Sequence, residues 1–367
     1  MLVRTLLRHG LLAALLALAA CASRPGAEVL GSVSTPVPAG AKVVTVYVAT
    51  TRALDPATGL FTNRRAPRTN FAEYTISVPP NHVSGQIEWP DGNPDPARSF
   101  VVLRQRPLSS AEFQARIAPG ASKRRTGVFI HGFNVNFQEA LFQRAQMSVD
   151  AGVIGVPVLF AWPSAGSLTK YVGDKDAVTA SRDSLAEVLE MVARGRQKGE
   201  ILVLGHSMGG WLTAETLRQL RLTGHGDVLG KLEVVLADPD VDVDVFRSQL
   251  AVIGKLQPPL SVLVARDDVA LRISSVVAGD RQRVGNLDVN DPRVQAAAHQ
   301  YGVKVIDTTN ISSGDGINHS RFAKLSATLA RQAEHGGVQN AGAFVFNSVG
   351  TVVSSPFKLV GHAIGGE

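Results

Sequence analysis

Ile201-Leu-Val-Leu204 runs directly into Gly205-His206-Ser207-Met208-Gly209-Gly210, and an amphipathic stretch to Leu222 follows. The four apolar residues read as a buried strand and Gly209 to Leu222 as a helix, which puts Gly-x-Ser-x-Gly on a strand-to-helix turn. The glycines at 205 and 209 matter because side chains two residues either side of the serine would collide with the neighbouring strand and helix. Such a turn forces Ser207 outward at a helix N-terminus. A serine hydroxyl is a poor nucleophile at neutral pH, so the chemistry requires a base within hydrogen-bond reach and an acid to orient that base.

Outward from this turn, short apolar runs alternate with longer amphipathic segments from Thr126 onward. Val128–Ile130, Val158–Ala161, Ile201–Leu204, Leu232–Ala237, Leu260–Ala265 and Val303–Ile306 read as strands. Glu139–Asp150, Ala177–Arg194, Gly209–Leu222, Val245–Leu256, Pro292–Tyr301 and Arg321–Glu334 read as helices. This alternation predicts an α/β domain over 121–335, a mostly parallel sheet covered by helices on both faces, with its ligand site at the C-terminal strand ends. Only one helix fits between 237 and 260, so an open site is expected rather than one under a large lid. Upstream, Val43–Ala49, Tyr74–Val78 and Phe100–Leu103 are strand candidates with no helix between them. They predict an antiparallel β extension over 42–120, packed on the α/β core.

The remaining chemistry can be placed on strand ends. Met208 supplies one backbone donor for a tetrahedral oxyanion. The strand ending at Ile130 leads to His131-Gly132-Phe133-Asn134, where the Phe133 N–H is the first candidate for the second donor and Asn134 the next. His131, directly after a buried strand, reads as a brace for that loop, and His206 likewise as structural. The chain order Ser, acid, His expected of this turn leaves Asp267 or Asp268 after the strand ending at Ala265, with Asp238 and Asp240 after the preceding strand as competitors. Of the later histidines, His319 lies on the glycine-containing loop Ser312–Ser320 at the catalytic edge. Tyr171 and Lys170, in the loop after Trp162-Pro163-Ser164, are candidate pocket residues or a core plug with a solvated loop.

Composition narrows the class further. With 45% hydrophobic and 19% charged residues the chain can bury a large core. The net charge of +6 is scattered, with no basic block beyond Lys123-Arg124-Arg125, which argues against nucleic-acid binding. The single cysteine excludes an intramolecular disulfide, and no His-x-His or His-Glu-x-x-His spacing suggests a metal, so neither metal nor cofactor is expected. Arg4 and Arg8 precede an apolar run over Leu11–Ala20, too short to span a bilayer comfortably. Leu18-Ala19-Ala20-Cys21 resembles a bacterial lipobox. The resemblance implies a signal peptide at 1–20, lipidation of Cys21, a tether at 21–41, and a place in the cell envelope. Ala22 after the cysteine favours the outer membrane. The Gly-, Val- and Ser-rich tail at 336–367 could lie on a membrane surface, cover the domain or stay unstructured.

The order Val46-Tyr-Val-Ala-Thr-Thr-Arg52, His131-Gly-Phe-Asn134, Phe160-Ala-Trp-Pro-Ser164, Tyr171, Gly-His-Ser-Met-Gly-Gly210, Asp238-Pro-Asp240, Asp267-Asp-Val-Ala-Leu271 and Asn318-His-Ser320 resembles a bacterial α/β-hydrolase family. Its members are esterase/lipase-superfamily proteins of unknown function, often lipoproteins. The resemblance spans residues 44 to 333 and implies an α/β-hydrolase fold and a serine hydrolase. It favours Asp268 as the acid, beside Ser207 and His319. Asp267 stands where Asn is more usual, so it stays a candidate. An ester substrate, small or lipid-like, fits this reading, with a thioester or amide also open. The contrasting reading is an envelope lipoprotein that keeps the fold as a non-catalytic binding module.

Overall fold

The computed structural model describes residues 24–118, 125–151, 155–311, 313, 316–322 and 352–353. The leader at 1–20, Cys21, the closing helix beyond 322 and most of the tail from 336 lie outside the described residues. Near the N-terminus come β1 (Lys42–Leu54), β2 (Phe61–Val78) and β3 (Val101–Leu108). The second and third strands run well beyond the segments that their apolar residues suggest. The polar half of β2, rich in Arg and Asn, pairs with the end of β1 through two register shifts after Thr50. It is a strand because a partner satisfies its backbone, not because its side chains alternate. Next comes α1 (Ser110–Ile117), opened by a Ser109–Glu112 capping box, which the apolar pattern had not suggested.

The α/β alternation follows as β4 (Thr126–Ile130), α2 (Phe137–Asp150), β5 (Val156–Ala161), α3 (Tyr171–Ala180), α4 (Arg182–Ala193) and β6 (Ile201–His206). Then come α5 (Met208–Leu222), α6 (Gly226–Leu229), β7 (Leu232–Ala237), α7 (Val243–Ile253), β8 (Ser261–Val264), α8 (Val269–Val277), α9 (Pro292–Tyr301), β9 (Lys304–Asp307) and β10 (Val352–Val353). The single helix expected over 177–194 begins earlier and is broken at Ser181. The Ser181 hydroxyl donates to the Ala177 carbonyl and meets Thr51 Oγ1 at 2.7 Å, tying the break to β1. Helix α8, built from Val, Ile and Ser, is a further element that periodicity did not reveal.

Among the described residues the ten strands form one sheet in the order β10-β9-β8-β7-β6-β4-β5-β1-β2-β3. From β9 to β1 the strands are parallel, while β10, β2 and β3 add antiparallel edges. The sheet is therefore continuous across the junction with β1, where Tyr47 to Thr50 lie opposite Val158 to Ala161. Side chains alternate between two cores: Val128 and Ile130 join the one beneath α4 and α5, and Phe129 joins the one beneath α2. The chain steps from β4 to β5 on one side and then to β6 on the other, and such a switch of direction opens a crevice at the strand ends. Ile130 lies opposite Gly205 and His206 opposite Ala237, so His131, Ser207 and Asp238 leave neighbouring strands at one edge.

Candidate active site

Ser207 has φ 53° and ψ −120°, a strained conformation for a residue with a side chain. The surroundings enforce it. Its N–H donates to the Ala237 carbonyl at 2.9 Å, and its own carbonyl accepts from Gly210 at 2.9 Å and Asp240 at 3.1 Å. A Cβ at Gly209 would lie 2.5 Å from both the Ile130 and His131 carbonyl oxygens, and one at Gly205 would lie 2.4 Å from Thr213 Oγ1 and 2.8 Å from the Gly209 carbonyl oxygen. Both positions therefore require glycine for lack of room, as the sequence implies.

The loop of His319 meets the elbow directly. His319 Nδ1 lies 2.6 Å from Asp268 Oδ2. Asp268 is fully buried, and its other oxygen caps α8 by accepting from the Leu271 N–H at 2.9 Å. One carboxylate thus starts a helix and holds an imidazole. His206 Nε2 donates to the His319 carbonyl at 2.9 Å, and its ring packs against His319 and Phe322. Burial by itself would lower the His319 pKa, but the hydrogen bond and charge of Asp268, with Asp238 and Asp240 behind, outweigh it and hold the pKa above the usual histidine value.

The competing carboxylates have other partners. Asp267 Oδ2 accepts from Arg321 Nη2 at 2.7 Å and from Asn318 Nδ2 at 3.0 Å, so it clamps the two sides of the histidine loop. Asp240 accepts from Ser274 Oγ and from the Tyr171 hydroxyl and pairs with buried Arg283 at 3.1 Å. Asp238, at φ 46°, is buried between β7 and the elbow. Tyr171 meets the Phe133 ring edge-on at 5.2 Å, while Lys170 is exposed.

A Cβ at Gly132 would sit 3.0 Å from Ser207 Cβ, which places the 131–134 loop over Ser207. Asn134 sits at φ 57°, in the left-handed region. Among the described residues, neither the Phe133 nor the Met208 N–H donates to another protein group. His131 is buried between the Gly132 and Trp162 carbonyls and stacks on Trp162, and burial, with the Arg52 charge adding, lowers its pKa to about 3. A neutral, enclosed imidazole of this kind braces its loop.

Three contributors to this loop were not among the candidate site residues. Buried Arg52 donates to the Val135 and Thr62 carbonyls, and Asp174 accepts from Ser164 Oγ at 2.7 Å and from the Ala165 N–H at 2.9 Å. Arg24 donates to both Asn134 oxygens and to the Gly166 carbonyl, each at 2.7 Å, and pairs with Glu139. An arginine closing the apolar run Val46–Thr51 was the one signal available for Arg52; Arg24 lies in a stretch that reads only as tether.

Among the described residues no group of three or more His, Cys, Asp or Glu side chains could hold a metal ion, and no helix is long and apolar enough to cross a membrane. No curated protein sequence matches the chain. Several solved structures are similar to it at low identity. An esterase from Pyrobaculum calidifontis is 16% identical with a TM-score of 0.33, over 63% of this chain and 80% of that one. Esterase B from Lactobacillus rhamnosis is 11% identical with a TM-score of 0.35, over 85% and 92%. A lipase/esterase from Lactobacillus plantarum is 14% identical with a TM-score of 0.33, over 81% and 98%. The family of alpha/beta hydrolases of unknown function (DUF900) matches residues 109–333, more than half of the sequence, and the chain belongs to that family.

Proposed function

We propose that this α/β hydrolase is a serine hydrolase that cleaves a carboxylic ester through an acyl-enzyme. The observation that carries the reading is the buried Asp268–His319 hydrogen bond of 2.6 Å, packed against the elbow that bears Ser207. Ser207 Oγ attacks the ester carbonyl carbon while its proton passes to His319. The tetrahedral oxyanion takes hydrogen bonds from the Met208 and Phe133 N–H groups, each such donor being worth about 10²–10³ in kcat. As the carbon–oxygen bond to the alcohol breaks, the imidazolium returns its proton to the leaving oxygen. Water then attacks the acyl-serine, again giving its proton to His319, and Ser207 and the carboxylic acid are regenerated. Asp268 keeps the imidazole in the tautomer whose Nε2 takes the proton of Ser207.

The same reading places the protein in the bacterial cell envelope, lipidated at Cys21 and facing the periplasm from the outer membrane, with Leu18-Ala19-Ala20-Cys21 as its support. A fluorophosphonate probe tests the chemistry. Stoichiometric labelling that Ser207→Ala abolishes is expected. Folded protein that takes up no label would instead be a binding module on this fold.

A further inference from the structure

We infer that the mouth of the site is a membrane-docking face, and that the ester it takes is an acyl ester drawn from a lipid bilayer; the substrate half of this rests on the serine-hydrolase reading above. Of the nine large apolar side chains that are 45–70% exposed among the described residues, six fall together: Leu168, Val172, Ile273, Val276, Val277 and Ile317. They belong to three segments that each carry a residue of the site and are bonded to one another. Leu168 and Val172 flank Tyr171, whose hydroxyl lies 2.8 Å from Ser274 Oγ on α8. Ile317 is two residues before His319, and its carbonyl accepts from the Val269 N–H, the first of α8, at 3.0 Å. Helix α8 is capped by Asp268, and it turns Leu271 and Ser274 inward. Ile273, Val276 and Val277, at i, i+3 and i+4, form its opposite stripe.

An exposed apolar patch of this kind on the rim of a site marks a surface that meets something apolar. The path of the chain says what that is. Arg24 is held on Asn134 and Gly166, beside Phe133 on one side and two residues before Leu168 on the other. Cys21 is three residues upstream, at most about 10 Å of extended chain. An acyl chain on Cys21 would therefore enter the bilayer next to these apolar side chains, and exposed Lys170 and Arg272 border them with charge suited to anionic headgroups. Arg24 thus fixes the tether so that the membrane meets the mouth of the site and not another face.

The test uses the full chain with Cys21→Ser and one new cysteine, either Val276→Cys or Leu222→Cys, carrying an environment-sensitive dye. Leu222 is also exposed, but it ends α5, about 20 Å along the helix from the elbow. With vesicles of phosphatidylethanolamine and phosphatidylglycerol, the dye at 276 should shift to the blue. Brominated acyl chains should quench it several-fold more than the dye at 222. Equal responses at the two positions, or none at 276, overturn the docking face. Separately, Ile273→Ser with Val277→Ser should leave p-nitrophenyl acetate hydrolysis in water unchanged and lower hydrolysis of vesicle-borne esters at least tenfold. Equal loss on both substrates, or on neither, overturns the bilayer as substrate source. A wild type inactive on both would sink the serine-hydrolase reading, while the dye experiment would still decide the docking face.

Discussion

Asp267 and Asp268 are adjacent in sequence and face different partners: Asp268 bonds the His319 imidazole at 2.6 Å, while Asp267 bonds Asn318 and Arg321, the residues flanking that histidine and its neighbour Ser320. One carboxylate orients the ring and the other shapes the loop that delivers it.

Replacing them should separate the two tasks. Asp268→Asn should lower kcat for a p-nitrophenyl ester by about 10⁴ with the fold retained, because the imidazole loses its tautomer and the imidazolium its counter-charge. Asp267→Asn should cost far less and act mainly on stability. Near wild-type kcat in Asp268→Asn, with loss in Asp238→Asn or Asp240→Asn, would move the acid to the end of β7.

In the proposed mechanism Ser207 and His319 act in one proton-transfer step, so their losses should not add. Each alanine variant should lose several orders of magnitude in kcat, and the double variant should be barely worse than either single one. Additive losses would place His319 outside the proton path of the nucleophile.

The pH dependence follows from the raised pKa of His319. A general base works when neutral, so kcat/KM should fall with acid through a midpoint above the ordinary 6.5. Asp268→Asn removes the hydrogen bond and the largest of the carboxylate charges holding the proton and leaves burial to dominate. The imidazole titration, followed by NMR, should then move to lower pH; an unmoved midpoint would show that Asp268 does not set it.

Gly209→Ala tests the elbow as a packing device. The new methyl would press on the Ile130 and His131 carbonyls at 2.5 Å. Backbone atoms cannot rotate away, so a loss of about 1–3 kcal/mol in stability is expected, read from denaturant midpoints. An unchanged midpoint would mean that β4 and α5 can separate freely.

On the proposed lipidation of Cys21, Cys21→Ser should leave the chain uncleaved or soluble, since acyl chains there would supply membrane affinity at about 0.8 kcal/mol per buried methylene. Membrane fractionation equal to wild type, with no mass difference from acylation, would count against the lipobox.

What the sequence by itself determined here was local. Gly205-His206-Ser207-Met208-Gly209 specifies the elbow because only glycine fits at 205 and 209 in a turn that brings α5 so close to β4. The alternation of apolar runs and amphipathic segments specifies the parallel sheet, since strands buried on both faces must be apolar throughout. The choice of His319 followed from chain order together with its place on the glycine-containing Ser312–Ser320 loop. What only the tertiary structure decided depends on direction and on distant partners. Four carboxylates stood at strand ends, and the direction in which the chain leaves β8 turned Asp268, and not Asp267, toward the imidazole. The polar half of β2 is a strand through its pairing with β1, and α3 and α4 part at Ser181, whose hydroxyl meets Thr51. Arg24 carries no local pattern at all; its role exists because folding brings Asn134 and Gly166, more than a hundred residues away, within hydrogen-bond reach.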